Sequence, residues 1–587
     1  MFWPRAVEGL AVSGDGARAF VNRPSDDGLE AVEATLSGEA SAAAISGPPH
    51  VRIVGLGPEG TGPIAQWGAR GTSLALLEGD PVDVRPGGAN YVRAITTDGT
   101  GAVWVVCNAE DPRRLDLWRW TRDEARRVIE GDRSTEFLSV SANGRWIVAR
   151  RLSMARVARL YLFDTSEVEP VAREIGRWRE DELHNAVWVG VDGQTVAVLD
   201  GRSEFTLLMR LDSDGGETTL WEPGATIEEI VPVDGSGERY LAALNRNAAT
   251  DLVVVDVGGA QATTRLVGGG LPTGRVLEVA VAQKAPVAAV LLETDSTPAE
   301  LYAIDLESGR GHRILGDDRP RGAYTPVTPE HATFEARDGL GVPMLVYRPR
   351  EATASSPVPI VIHVHGGPGG QSRRAFDPVI QWLVAHGYGV IAVNHRGSSG
   401  YGKTFFAMDD RQHGTADLAD LLDAREHVRT LEWAMPERVG IMGGSYGGYL
   451  VCAAMAFHPG TFACGIDAFG VTNWERVLQS VPPSQAVYRR ALHREMGSPV
   501  TDAARHRAMS PLFKADRVRD PMLVVQGALD TQVPQVESDQ FVAALRENGV
   551  PVDYLVFEDE GHGFKDPANR LEAARAYVRF LDAHLKR

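Results

Sequence analysis

Beyond residue 330 the chain alternates short apolar runs with longer mixed segments, which predicts strands alternating with helices in a doubly wound, mostly parallel sheet. Four apolar runs stop at residues with chemistry to offer. VPIVIHV (358–364) runs into His365-Gly366-Gly367-Pro368, and ERVGIM (437–442) into GGSYGG (443–448). LVV (523–525) leads to a turn at Asp530, and VDYLVF (552–557) to a loop carrying His562. YLVCAAMAF (449–457) predicts an apolar helix behind the second of these turns.

The first half has another rhythm. A strand, a tight turn and a second apolar strand recur as LAVSGDGARAFV (10–21), AITTDGTGAVWVV (94–106), SVSANGRWIVAR (139–150), VWVGVDGQTVAVL (187–199), IVPVDGSGERYLAAL (230–244) and VAVAQKAPVAAVLL (279–292). The turns fall near Gly16, Gly99, Gly144, Gly193, Gly237 and Ala285, a period of roughly 40–50 residues after a first gap close to two periods. A seventh unit is therefore expected between residues 25 and 85, around WGARGTSLALL (67–77). RLYLFD (159–164), DLVVVD (251–256) and ELYAID (300–305) repeat as outer strands, each ending in aspartate before a turn. GDDRPRGAYTPVTPEHATF (316–334) is rich in Pro, Gly and charge and lacks periodicity, which places a domain boundary near 325, with a first domain over 1–325 and a second over 326–587.

Composition sets limits on this picture. A chain of 587 residues exceeds what one core normally supports, and 43% apolar with 24% charged residues suits two ordinary globular cores. A formal charge of −18 argues against nucleic-acid binding. Cys107, Cys452 and Cys464 are too few and scattered for a disulfide framework or a zinc cluster, so no metal or other cofactor is expected, and Cys452 is expected to act as a small buried hydrophobe. MFWPRAVEG has no basic segment followed by an apolar one, and no run reaches the ~18 apolar residues of a membrane span. A cytoplasmic protein with no membrane partner is expected. Glu228-Glu229 reads as a solvated acidic edge.

Gly443-Gly444-Ser445-Tyr446-Gly447 fits G-x-S-x-G, in which small residues let strand and helix pack closely through a strained turn that lifts the serine hydroxyl. A serine hydroxyl is a poor nucleophile at neutral pH and needs a base and a group to orient that base. His562 and Asp530 fill those roles, and the order Ser, Asp, His is that of α/β-hydrolases. The glycine-rich loop after the strand at 358–364 then supplies a backbone N–H of Gly367 to an oxyanion, with the N–H of Tyr446 as the second donor.

HGGPGG, NHRGSSGYG (394–402), GGSYGG, the turn at Asp530 followed by Val533-Pro534, and EGHGF (560–564) together resemble the prolyl oligopeptidase family of serine peptidases, most closely its acylaminoacyl-peptidase-like branch. The resemblance covers most of residues 332–587 and implies that the first domain is a seven-bladed β-propeller that restricts access to an α/β-hydrolase catalytic domain. Two departures bear on substrate. Gln532 stands where the family commonly has an arginine that binds a peptide carbonyl, and the paired-glutamate helix by which dipeptidyl members hold a free N-terminus is not found. Arg396 is expected to be a hydrogen-bonding hub for its loop. The resemblance further implies that Val471 and Trp474, beside Tyr446, line the pocket for the residue before the cut, with Val487 and Tyr488 as its remaining wall.

The expectation is a serine hydrolase that cleaves amide bonds of short peptides or N-blocked aminoacyl substrates through an acyl-enzyme. An esterase or amidase acting on a peptidyl small molecule, a peptidyl transferase or cyclase, and a propeller interaction platform with an inactive hydrolase domain stay open. So does a homo-oligomer formed through an exposed edge strand.

Overall fold

A computed structural model describes residues 7–25, 28–36, 42–45, 52–56, 63–67, 73–77, 82–84, 92–98, 100–111, 114–131, 135–152, 158–176, 184–316, 324–481 and 486–586. The chain divides into two compact units, residues 4–319 and residues 320–587.

The first unit is a seven-bladed β-propeller. Seven four-stranded antiparallel sheets follow one another over residues 8–44, 52–83, 92–129, 135–175, 184–221, 226–267 and 274–315. Middle strands are covered on both faces by neighbouring blades, so they are apolar throughout: Val103–Cys107 is buried at every position. The fourth strands are wet, and Thr263–Val267 exposes all but its last residue. Each blade is built from strands consecutive in sequence, so ring closure rests on packing. Val12, Ala19 and Val21 of the first blade share a core with Ala289, Leu291 and Leu301 of the last. The Val7 N–H also donates to Ala299 O at 3.0 Å.

The hidden blade lies at 52–83, and WGARGTSLALL covers its second hairpin, Pro63–Trp67 with Ser73–Leu76, instead of its first. Residues 68–72 of that stretch lie outside the described residues, as does the expected turn glycine Gly99. The turn of the third blade is made by Gly101, whose N–H donates to Asp98 O at 2.9 Å and whose φ is +83°. The three aspartate-ending runs are third strands, with a fourth strand outside each. Their aspartates cap the next turn; Asp305 Oδ1 accepts the N–H of Glu307 and Ser308. Glu228 is exposed and fits the solvated edge. Glu229 does not, because burial pushes its carboxyl up to about 7.

Turn glycines also dock one blade on the next. A Cβ on Gly193 would lie 2.3 Å from the Trp146 ring of the preceding blade, and one on Gly237 would lie 2.6 Å from that of Trp188. Both have positive φ, +68° and +73°, so sterics and backbone both demand glycine. Gly193→Ala is expected to destabilise the propeller by about 1–3 kcal/mol, read as a lowered midpoint in denaturant. An unchanged midpoint would show that Trp146 moves aside freely.

The second unit is built on eight strands, β1 (Glu330–Glu335), β2 (Gly341–Tyr347), β3 (Val358–Val364), β4 (Gly389–Val393), β5 (Ala434–Gly444), β6 (Cys464–Ala468), β7 (Met522–Gly527) and β8 (Val552–Phe557). Their spatial order is β1-β2-β4-β3-β5-β6-β7-β8, antiparallel through β2 and parallel from β4 to β8. Helices α1 (Pro378–Ala385), α2 (Ala416–His427), α3 (Tyr446–Phe457), α4 (Trp474–Ser480), α5 (Ala486–Met496), α6 (Ala503–Met509), α7 (Val536–Glu547) and α8 (Pro567–Leu585) connect or flank the strands. This is an α/β-hydrolase fold. Because β3, β5, β7 and β8 run parallel, the four loops singled out from the sequence emerge at one edge of the sheet.

Candidate active site

Ser445 sits between β5 and α3 with φ +56° and ψ −119°, a region that a residue with a Cβ rarely adopts. The turn is as tight as its sequence requires. A Cβ on Gly443 would lie 2.6 Å from the Gly447 backbone, and one on Gly447 would lie 2.2 Å from Val364 O on β3. α3 is buried all round, and the Ser445 N–H is tied to Ala468 O at 2.9 Å, so the nucleophile has a rigid mount.

The loops bring three side chains into line. Ser445 Oγ lies 3.0 Å from His562 Nε2, and His562 Nδ1 lies 2.7 Å from Asp530 Oδ2. Asp530 is buried, and its other oxygen accepts the N–H groups of Gln532 at 2.8 Å and Val533 at 2.9 Å. Gln526 steadies the same turn, donating from Nε2 to Val533 O at 3.1 Å while its Oε1 accepts the Ser538 hydroxyl. Glu560 shapes the histidine loop by accepting the N–H groups of Lys565 and Asp566.

The glycine-rich loop lies against the nucleophile, since a Cβ on Gly366 would stand 3.4 Å from Ser445 Cβ. Gly366 O faces His365 Nδ1 at 2.9 Å, so the Gly367 N–H of the same peptide points the opposite way. The N–H groups of Gly367 and Tyr446 donate to no acceptor among the described residues. His365 is itself anchored, with Nε2 2.8 Å from the Ser398 hydroxyl and its ring stacked on His395 at 4.6 Å. Burial pushes both imidazoles down, to about 3 for His365 and about 4 for His395, so the loop rests on neutral rings.

Val471, Trp474 and Tyr446 meet in one buried cluster beside the elbow, with the Tyr446 and Trp474 rings 6.0 Å apart. Val487 and Tyr488 fall on α5, and their side chains lie outside the described residues. Gln532 is exposed at an open cavity of about 700 Å³ that His562 also lines. Arg396 is the hub expected of it, gripping Asp420 through Nε and Nη2 and Asp338 through Nη1.

Three residues of the site carry no motif in the sequence. Phe469, at φ +46°, lays its ring 4.9 Å from that of His562. Asp467 holds that bend by accepting the Gly470 N–H at 2.9 Å, and burial pushes its carboxyl up to about 7. Cys452 is buried as expected but also donates its thiol to Asp467, 3.3 Å away. Glu537, fully buried, accepts the N–H groups of Thr472 and Asn473 and an ion pair from Arg476, fixing the segment that carries Trp474.

Comparison with known proteins places this site in context. A dipeptidyl aminopeptidase BIII from Pseudoxanthomonas mexicana is 37% identical over 281 residues, which is 46% of this chain and 41% of that protein. The match thus spans less than half the length of that relative. Among solved structures, a Mycobacterium tuberculosis puromycin-hydrolyzing peptidase superposes with a TM-score of 0.82 at 21% identity, covering 100% of this chain and 95% of that one. A Pyrococcus horikoshii acylaminoacyl peptidase gives 0.78 at 18% identity, with 100% and 96% covered, so the two-domain architecture is shared from end to end. Residues 374–587, the segment that carries Ser445, Asp530 and His562, match the model of the prolyl oligopeptidase family.

Proposed function

We propose that the chain is a serine peptidase that hydrolyses amide bonds of short peptides or N-acylated aminoacyl compounds through an acyl-enzyme. The observation that carries this reading is the relay from Ser445 through His562 to Asp530 at 3.0 and 2.7 Å, mounted on a left-handed elbow. Ser445 Oγ attacks the carbonyl carbon, and His562 Nε2 takes its proton and returns it to the departing amine. Asp530 holds Nδ1–H and stabilises the imidazolium. The N–H groups of Gly367 and Tyr446 hold the oxyanion, each worth about 2.7–4 kcal/mol of transition-state stabilisation. Water then repeats the sequence on the ester. No step calls for a metal or cofactor.

Val471, Trp474 and Tyr446 give the acyl side an apolar or aromatic preference, with Val487 and Tyr488 assigned to the same wall. The propeller acts as a filter that keeps folded proteins from Ser445, so the substrate is short. Three buried, unpaired cysteines accord with a cytoplasmic setting. Gln532 favours a second reading, an amidase or esterase acting on a peptidyl small molecule, because an amide anchors a peptide carbonyl with about half the strength of a charged arginine. The puromycin-hydrolyzing neighbour supports that reading too.

The test is fluorophosphonate labelling and turnover with N-acetylated aminoacyl, free dipeptidyl and simple acyl ester chromogenic series. Labelling is expected at Ser445 alone and lost in Ser445→Ala, with the highest kcat/KM on the N-acetylated series. Full turnover by Ser445→Ala would refute the mechanism, and a higher kcat/KM on the ester series would favour the second reading.

A further inference from the structure

A cavity of about 460 Å³ in the hydrolase domain is lined by Arg337, Arg411, Arg505, His413 and His458 and by no acidic side chain, in a chain of formal charge −18. Leu422, Phe457 and Met509 give it an apolar wall. Its cations are not equally committed. Arg337 grips Asp423 through Nε and Nη2, and burial together with Arg337 and Arg517 holds the His458 imidazole below its ordinary range. Arg505 gives one hydrogen from Nη1 to the carbonyl of Arg411, at 2.8 Å, and one from Nη2 to that of Met496, at 2.6 Å, with Asp502 3.7 Å away, and keeps three further N–H donors. His413 faces Asp409 at 3.4 Å and Glu495 at 3.7 Å, whereas the exposed Arg411 makes no hydrogen bond or ion pair within 4.0 Å through its guanidinium among the described residues, with Asp410 and Asp502 acting on it from farther off.

Asp502 faces both guanidinium groups and Asp410 faces Arg411, but neither carboxylate hydrogen-bonds the Arg411 guanidinium, so its donors are free for the charge-assisted bonds, the strong kind, that an entering anion would accept. The segment that lines the cavity is also tied to the nucleophile. His413 stands edge-on to the Tyr446 ring at 5.7 Å and 89°. The Gly414 N–H and the Tyr446 hydroxyl donate to the two oxygens of Asp417. Tyr446 follows Ser445 directly.

We propose that this cavity binds a small organic anion, a carboxylate or phosphate on an apolar body. The head sits on Arg411 and Arg505, and the body lies against Leu422, Phe457 and Met509. Occupancy reaches the Ser445 elbow through His413, Gly414 and Asp417. The site is separate from the proposed reaction and its binding can be measured without turnover.

Calorimetry on the full-length Ser445→Ala chain with phenyl phosphate, 3-phenylpropionate and neutral 3-phenylpropionamide tests it. At least one anion is expected to bind, with the amide weaker by at least about tenfold, and the tighter of the two anions identifies the natural head group. Arg411→Met should weaken the anion by a similar factor and Arg411→Lys should restore most of it. In the parent chain the bound anion should change turnover of an acyl ester, and in Arg411→Met it should not. Equal binding of anion and amide, no binding of either anion, or unaltered affinity in Arg411→Met would each overturn the site. Unchanged parent turnover with the anion bound would overturn the coupling.

Discussion

Asp530→Asn is expected to lower kcat by about 10⁴-fold while leaving the domain folded. The reason lies in the turn that holds the carboxylate. Asp530 Oδ1 accepts the N–H groups of Gln532 at 2.8 Å and Val533 at 2.9 Å, and only Oδ2 faces His562 Nδ1. An asparagine must keep its carbonyl on those two N–H groups, which turns its amide NH₂ toward the imidazole. His562 Nδ1 then has to accept, the ring proton moves to Nε2, and Nε2 can no longer take the proton of Ser445 Oγ, 3.0 Å away. Shape and volume are unchanged, so stability should fall by less than about 1 kcal/mol. Steady-state turnover of an acyl ester together with thermal unfolding separates the two effects. A variant that kept kcat within about tenfold of the parent would show that Ser445 is activated without this relay.

The parts of the site that were legible in the sequence are those whose constraints are local. Ser445 was legible because Gly443 and Gly447 are forced by close approach to backbone within a few residues of the turn and on the adjoining strand β3. Asp530 and His562 were legible because each follows an apolar run that ends in a turn. Asp467 was not, since within CGIDA it is one polar position in a buried strand, and its partners Gly470 and Cys452 become partners only through the fold. Phe469 gives no sign of its positive φ, because an aromatic residue next to a glycine is ordinary. The propeller shows the same division. Its buried inner hairpins are legible as paired apolar runs, whereas wet fourth strands such as Thr263–Val267 resemble loops, and the second blade shows in the sequence only through its second hairpin because its strands are short.

Glu537→Ala is expected to cost about 3–5 kcal/mol of stability, the range for removing one partner of a buried ion pair. Glu537 has no solvent exposure and lies in the first turn of α7. Its Oε2 accepts the N–H groups of Thr472 at 3.0 Å and Asn473 at 2.7 Å, and its Oε1 meets Arg476 Nε at 2.7 Å. Truncation strands two amides and leaves a guanidinium that is only 29% exposed with Gln540 Oε1, at 2.9 Å, as its side-chain partner, and among the described residues no second carboxylate pairs with it. Glu537→Gln keeps an oxygen for the amides and loses the charge opposite Arg476, so it should cost less, about 1–3 kcal/mol. The consequence for function follows from position. Residues 471–476 carry Val471 and Trp474, which share a buried cluster with Tyr446, the Trp474 ring lying 6.0 Å from that of Tyr446. The glutamine variant should therefore raise KM for aromatic acyl groups more than it lowers kcat, because the relay is untouched while the pocket wall loosens. Chemical denaturation and a comparison of kcat with KM on one substrate series measure both. Stability within about 1 kcal/mol of the parent in Glu537→Ala would mean that water replaces the carboxylate, and a fall in kcat with KM unchanged would mean that the segment serves the nucleophile instead of the pocket.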